Sequence, residues 1–162
     1  MNIELRGRTE ANVRLYFERT RDAEIQRMCP QRAQTVEEAL ADFRKMLVGE
    51  TDSFGRTVYA DGQYVGDIWL YCMDESTGPD AMLSFCLFDK ELWGRGIMTE
   101  AARLFLEEAR RKFALWTVGA FTFMENKGSV RVLEKNGFEL KESFFEGGRE
   151  SGYFEKDVRK AI

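Results

Sequence analysis

Hydrophobic positions along the chain recur with two different periods, and each period predicts its own set of elements. Apolar residues spaced by three or four predict helices, whereas short apolar or alternating runs between turn signals predict strands. The helical spacing covers residues 9–18, 21–28, 35–48, 96–113 and 126–135. The strand patterns cover residues 3–8, 54–60, 63–71, 81–88, 116–123, 138–145 and 150–156. The sequence therefore predicts a mixed α/β chain whose first half is antiparallel.

Cap and turn signals set the limits of several elements. Thr35 followed three residues later by Glu38 is a capping box, which begins a helix. We expect the apolar positions of that helix to face the core, namely Val36, Leu40, Phe43 and Leu47. The pair Asp61-Gly62 between two strand patterns is typical of a tight hairpin. Residues 74–80, rich in turn-forming types, are predicted to form a loop.

Composition fits one folded domain, residues 1–162, and narrows the chemistry. Hydrophobic residues make up 44% of the chain, which is enough for a sizeable core. The absence of histidine excludes histidine-based triads and histidine-containing metal sites. No apolar stretch approaches the ~20 residues of a membrane span, and no signal peptide is evident, so we expect the cytoplasm. Cys72 and Cys86 lie in apolar runs and are expected to be buried free thiols.

The most informative segment joins an apolar strand to a long helix. The strand pattern ends at Asp89, and Gly94 and Gly96 come just before the helical spacing begins at Ile97. The first N–H groups of a helix lack backbone partners, and the positive end of the helix dipole attracts anions. Glycine lets an anion approach the backbone closely. The segment therefore predicts a site for a phosphorylated ligand, with a purely structural turn as the alternative.

Two common nucleotide sites do not fit these residues. A dinucleotide-binding turn has a third glycine at the position where this chain has Thr99. A Walker loop continues with Lys and Ser or Thr, whereas Gly96 is followed by Ile97. A dinucleotide-dependent enzyme is therefore a weak alternative.

A second motif narrows the interpretation. Residues 126–138 read Asn-Lys-Gly-Ser-Val-Arg-Val-Leu-Glu-Lys-Asn-Gly-Phe, and a strand pattern separates them from the first motif. Together with Leu-Trp-Gly-Arg-Gly at 92–96 and Thr-Glu-Ala at 99–101, this segment resembles the GNAT superfamily of acetyl-CoA-dependent N-acetyltransferases. The resemblance is to the branch that contains ribosomal-protein N-terminal acetyltransferases and polyamine acetyltransferases, and it covers nearly the whole chain.

The resemblance implies a fold, a cofactor and a set of site residues. The GNAT fold has a single central, mostly antiparallel sheet that splays between its fourth and fifth strands and is flanked by helices. Acetyl-CoA would place its pyrophosphate on the turn and pair its amide-rich arm with the open strand edge. The implied cofactor-binding residues are Phe85, Leu87, Phe88, Trp93, Gly94, Arg95, Gly96, Ile97, Met98, Thr99, Asn126 and Ser129. Backbone N–H groups around Leu87 would stabilise the oxyanion, and Ser129 would protonate or orient the leaving thiolate.

Three positions depart from the family pattern. Glu91 stands where the family usually has Gln or Arg, and we expect it to face solvent because a carboxylate repels a pyrophosphate. Leu133 occupies the position at which many members carry a tyrosine general acid. Residues 82–85, where close relatives often carry a glutamate, contain no carboxylate. The sequence therefore identifies no general base.

Structural roles compete with functional ones at two of these positions. Trp93 is expected to pack under the turn as part of the core, in preference to stacking on adenine. Ser129 could simply stabilise the first turn of its helix.

We expect a single-domain N-acetyltransferase that transfers an acetyl group from acetyl-CoA to a primary amine by direct attack. The acceptor would be a protein N-terminus or a small molecule, and neither nucleic acid nor a membrane is expected as a partner. The chain would act as a monomer or a homodimer. The alternative is a non-catalytic acyl-CoA-binding module of the same fold.

Overall fold

The structure, a computed structural model, describes residues 1–73 and 78–160, so residues 74–77 of the predicted loop lie outside the described residues. The strands are β1 Ile3–Arg6, β2 Phe54–Ala60, β3 Gln63–Tyr71, β4 Ala81–Leu87, β5 Thr117–Phe123, β6 Glu139–Glu146 and β7 Arg149–Asp157. The α-helices are α1 Glu10–Arg19, α2 Ala23–Met28, α3 Val36–Leu47, α4 Ile97–Lys112 and α5 Lys127–Lys135. Short 3-10 helices cover Lys90–Leu92 and Val158–Lys160.

The strands form one sheet in the order β1-β2-β3-β4-β5-β7-β6. Each neighbouring pair is antiparallel except β4 and β5, which are parallel. This parallel pair is joined only where Ala81 faces Val118 and Met82 faces Gly119. Beyond Met82 the two strands separate, which confirms the predicted sheet that splays between its fourth and fifth strands.

Alternate residues of β4 show how the two faces of the sheet are covered. Leu83 belongs to the main core, which also contains Phe105 of α4. Cys86 points to the other face, where it packs with Tyr16 of α1 and Ile25 of α2. Because successive strand residues point to opposite faces, α4 lies on one face of the sheet and α1 and α2 lie on the other.

The structure confirms the predicted cap of α3 but contradicts the expected burial of one residue in that helix. The Thr35 hydroxyl accepts a hydrogen bond from the backbone N–H of Glu38, as the capping box predicts. Leu47, expected to face inward, is 64% exposed. The contact of α3 with α1 is made by Leu40 and Phe43, and Leu47 lies in the last turn beyond that contact.

The predicted burial of the two strand cysteines is half correct. Cys86 is buried and is a free thiol. Cys72 is only half-buried, because the chain leaves β3 at Tyr71 and Cys72 adopts a left-handed backbone conformation with φ 55°. In the part of the chain that the structure describes, no helix combines the length and apolarity needed to cross a membrane.

Candidate functional site

The separation of β4 from β5 forms a cleft of about 670 Å³ that passes through the sheet. The cleft is lined by residues 25, 28–30, 83–87, 92–94, 96–99, 120–123, 125–129, 131–133, 135 and 151. The end of α2 lines it on one face of the sheet, and the first turns of α4 and α5 line it on the other. A ligand that enters along α4 and a second ligand that enters beside α2 can therefore meet within the sheet.

Backbone groups of β4 alternate between the sheet and the cleft. The N–H of Phe88 donates to the carbonyl of Val65, at 3.0 Å, so it points toward β3. In an antiparallel ladder every second residue shares this direction, so Cys86 also bonds toward β3. Phe85 and Leu87 then point their N–H and C=O groups into the cleft. An amide-bearing chain could pair with this edge as a further strand.

Trp93 fastens the turn to the end of β4. Its indole N–H donates to the carbonyl of Leu87, at 2.7 Å, and its side chain is 37% exposed. The expectation that Trp93 packs as core is therefore wrong. An indole N–H needs a polar partner, and the strand-end carbonyl beside the cleft supplies one. The bond leaves the Leu87 N–H as the group of that residue that remains directed into the cleft.

The N-terminus of α4 has the geometry of an anion site. Gly94 and Gly96 adopt left-handed conformations, with φ 78° and 79°. Gly96 is the N-cap of α4 and has no side chain to bond the first-turn N–H groups of Ile97, Met98 and Thr99. These N–H groups therefore carry the positive end of the helix dipole without a side-chain cap. All but the exposed Arg95 of the predicted residues 93–99 line the cleft.

Two other residues near the turn lie away from the cleft. Glu91 is exposed, as predicted. Phe88, predicted to bind the cofactor, is only 5% exposed and does not line the cleft. The reason is the strand alternation, which turns its backbone to β3 and its ring into the cluster with Tyr16.

Asn126 and Ser129 meet at the start of α5. The side-chain oxygen of Asn126 accepts a hydrogen bond from the backbone N–H of Ser129, at 3.2 Å. Asn126 is thus the N-cap of α5, and its amide oxygen is engaged by the helix. Both residues also line the cleft. The predicted residues of the two motifs are therefore brought together around one opening.

Glu125 is the one carboxylate among the described residues that line the cleft. It accepts hydrogen bonds from Arg149 Nε, at 2.7 Å, and from Arg27 Nη2, at 3.0 Å. These two bonds lower the pKa of the Glu125 carboxyl. A carboxylate held ionised in this way is a weak proton acceptor, so Glu125 is poorly suited to act as a general base.

A row of cations along α5 also lines the cleft, although these residues were not among the predicted site residues. Lys127, Arg131 and Lys135 all line the cleft and are exposed. Their spacing of four residues places them on one face of the helix, and that spacing could have identified them. Three positive charges beside an uncapped helix N-terminus suit a ligand with several phosphates.

A pair of thiols from distant parts of the chain also reaches the cleft. Cys29 follows α2 and points its thiol to the carbonyl of Phe85, with the sulfur 3.7 Å from that oxygen. Hydrogen bonds from the Cys86 thiol and the Gln31 side chain lower the pKa of Cys29. The sequence carries no signal for this pairing, because it depends on how α2 packs on β4.

Comparison with known proteins agrees with this geometry. Residues 2–139 match the family model of the acetyltransferase (GNAT) domain. One similar protein is the probable N-acetyltransferase YjcK of Bacillus subtilis (strain 168), which is 36% identical over 85 residues. That match covers 52% of this chain and 46% of the relative, so the chain spans less than half of that protein.

Solved structures with the same fold match this chain over its whole length. AAC(6')-Ib in complex with paromomycin and acetyl-CoA has a TM-score of 0.81 at 16% identity, covering 100% of this chain and 98% of that one. The ribosomal-protein-S5-alanine acetyltransferase from Vibrio fischeri has a TM-score of 0.80 at 17% identity, covering 100% of this chain and 96% of that one. At these identities the likeness concerns the fold.

Proposed function

Because the chain belongs to the acetyltransferase (GNAT) domain family, we propose that it transfers the acetyl group of acetyl-CoA to a primary amine. The observation that carries the proposal is the juxtaposition of the uncapped N-terminus of α4 with the open edge of β4. One part suits a pyrophosphate and the other suits an extended amide chain, and the two parts share one cleft.

Acetyl-CoA fits the groups that line the cleft. Its pyrophosphate would lie on the first-turn N–H groups of α4, and Lys127, Arg131 and Lys135 would attract its remaining phosphate. Its pantetheine amides would pair with Phe85, whose backbone N–H and C=O groups face the cleft. Acetyl-CoA supplies an activated acetyl thioester, and the chain's own residues would position that thioester against the amine.

Two residues would assist the transfer. The Leu87 N–H would donate to the acetyl oxygen as negative charge develops on it. The Ser129 hydroxyl would donate a proton or a hydrogen bond to the departing sulfur. Since Glu125 is engaged by two arginines, water or a carboxylate outside the cleft lining would take the proton of the ammonium.

Ser129→Ala tests the assignment of that hydroxyl. We expect kcat to fall by about 10²-fold or more, as for the loss of a proton-transfer group, with little change in the Kd for acetyl-CoA. A purely structural serine would leave kcat nearly unchanged. Ser84→Ala is the matched control, because Ser84 also lines the cleft but lies on β4, away from the start of α5.

The proposed activity itself is tested in two steps. Calorimetric titration with acetyl-CoA measures binding, and mass spectrometry of a panel of primary amines measures transfer. Absence of acetyl-CoA binding at millimolar concentration would contradict the proposal.

A non-catalytic acyl-CoA-binding module is the second candidate, and two observations favour it. The position of the family's tyrosine acid is Leu133, which is 1% exposed, and the single cleft-lining carboxylate of the described residues is ion-paired. Such a module would bind acetyl-CoA but acetylate none of the amines in the panel. Product formation from any of them excludes it.

A further inference from the structure

One half of the sheet face that carries α2 is left uncovered by the described helices. On this face α1 and α2 pack over β4, whereas β5, β7 and β6 extend beyond them. Ala120 is buried on the α4 side, so the next residue, Phe121, points to the α2 side. Phe121 is 55% exposed and also lines the cleft. The uncovered face is therefore continuous with the opening between β4 and β5.

Three aromatic rings form a contiguous surface on this face. Phe121 and Tyr153 are opposite each other in the ladder, with ring centroids 5.1 Å apart. Phe144 of β6 packs edge-on against Phe121, with centroids 6.1 Å apart. A Cβ at Gly119 would lie 2.7 Å from the Tyr153 hydroxyl, so glycine at this position leaves the space that the Tyr153 ring occupies. We call Phe121, Phe144 and Tyr153 the aromatic face.

Two carboxylates border the aromatic face. Glu155 accepts a hydrogen bond from the Tyr153 hydroxyl, at 2.7 Å. Glu142 stands opposite Tyr153 in the β6–β7 ladder and so lies on the same face. Neither carboxylate forms a salt bridge with a described residue, in contrast to Glu125 on the cleft wall. The border therefore carries two carboxylates that take no part in the salt bridges of the described residues.

These features favour one chemical class of ligand. Aromatic rings bind apolar bodies through burial of surface, and they attract ammonium groups through their electron-rich faces. Carboxylates attract an ammonium and repel a second carboxylate. We propose that the aromatic face holds the acetyl acceptor, and that this acceptor is a cationic primary amine with an aromatic-sized apolar body and no carboxylate. The inference rests on the proposed acetyltransferase function, because it assigns the acceptor side of the same cleft.

Three small amines separate the features of the proposed acceptor. 2-Phenylethylamine has the ring and the ammonium, butylamine lacks the ring, and phenylalanine adds a carboxylate. We expect 2-phenylethylamine to give the highest kcat/KM and phenylalanine the lowest. Equal kcat/KM values for 2-phenylethylamine and butylamine would overturn the proposal.

Variants locate the discrimination on the aromatic face. Phe121→Ala should raise the KM for 2-phenylethylamine about tenfold or more, as expected from losing contact with a buried ring, and should change the KM for butylamine less. Phe145→Ala is the matched control, since Phe145 is 75% exposed and its neighbour Phe144 points to the aromatic face. A KM effect of Phe121→Ala no larger than that of Phe145→Ala would overturn the proposal. The double variant Glu142→Gln, Glu155→Gln should reduce the difference in kcat/KM between 2-phenylethylamine and phenylalanine.

Binding without turnover separates this inference from the proposed function. Calorimetric titration of 2-phenylethylamine into the protein saturated with CoA reports the aromatic face even if no acetyl group is transferred. One outcome is that 2-phenylethylamine binds, Phe121→Ala weakens this binding, and no amine of the panel is acetylated. This outcome supports the aromatic face as a binding site and contradicts the proposed acetyltransferase function. Acetylation of other amines with no binding of 2-phenylethylamine supports the enzyme and contradicts the aromatic face.

Discussion

At the scale of single residues, the absence of a side chain at Gly96 is what leaves the anion site open. An ordinary N-cap would place a side-chain oxygen on the first-turn N–H groups of α4, and that oxygen would compete with a phosphate. Glycine supplies no such oxygen and also tolerates the backbone φ of 79°. The turn therefore lacks a side-chain cap for α4, and the first-turn N–H groups stay available to bind an anion.

Gly96→Asp should abolish most of the acetyl-CoA affinity while the protein stays folded. The new carboxylate would cap α4 and repel the pyrophosphate, so we expect the Kd to rise at least about tenfold. A Cβ at Gly96 meets no atom within 4 Å, so the loss of stability should stay near the ~1 kcal/mol cost of a left-handed residue. Calorimetry measures the affinity and urea denaturation measures the free energy of unfolding.

Gly62→Asp is the matched control for that substitution. Gly62 has φ 82° and likewise has no atom within 4 Å of an added Cβ, but it lies in the β2–β3 hairpin turn. The control should show a similar loss of stability and an unchanged Kd. A Gly96→Asp protein that binds acetyl-CoA as well as the control does would indicate that the turn is only structural.

The sequence predicts a residue's role well where local backbone conformation determines that role. It fails where the role depends on a contact with a distant part of the chain. The left-handed glycines and the exposed Glu91 follow from local chemistry. Trp93 was expected in the core, because the sequence cannot show that the Leu87 carbonyl would be available to its indole. The position of the Cys29 thiol beside Phe85 could not be predicted for the same reason, because it depends on the packing of α2 against β4.

At the scale of elements, β4 is paired along one edge and open along much of the other. Its pairing with β3 runs from Met82 to Leu87, whereas its pairing with β5 ends at Met82. Sequence patterns predict the caps and hairpins well, because those depend on neighbouring residues. The opening lies between two strands that are far apart in sequence, so its prediction came from the family resemblance and not from the residues of either strand.

Alternation along β4 predicts a specific pattern of amide exchange. Acetyl-CoA should slow hydrogen exchange at the N–H groups of Phe85 and Leu87, because these groups face the cleft. It should change the exchange of Cys86 and Phe88 much less, because their N–H groups are directed to β3 in the free protein. Residue-resolved NMR exchange measurements distinguish these neighbours.

ADP provides the comparison ligand for that experiment. It carries a pyrophosphate but no pantetheine, so it should affect the first turn of α4 and leave Phe85 and Leu87 unchanged. Uniform slowing along β4, without alternation, would show that the arm of acetyl-CoA does not pair with this strand edge.

At the scale of the whole molecule, buried and exposed carboxylates link stability to pH in opposite directions. Asp67 is 4% exposed, and its carboxylate accepts a hydrogen bond from Tyr64 and pairs with Arg8 Nη2 at 2.8 Å. Burial nevertheless raises the pKa of the Asp67 carboxyl. At Glu125, hydrogen bonds from Arg149 and Arg27 lower the pKa instead.

The two carboxylates should therefore give stability differences of opposite slope. Because the pKa of Asp67 is raised on folding, its contribution is fully present below the unfolded pKa of ~3.9 and is lost as the pH rises through the folded pKa. The free energy of unfolding of the wild type minus that of Asp67→Asn should thus fall as the pH rises above about 4. For Glu125→Gln the same difference should fall as the pH drops below the unfolded pKa of ~4.3 toward the folded value. Urea denaturation at a series of pH values measures both differences.

In Asp67→Asn the unpaired Arg8 lowers the free energy of unfolding by an amount that does not depend on pH. The test is therefore the slope of the Asp67 difference against pH. A difference that stays constant or rises with pH would contradict the raised pKa of Asp67.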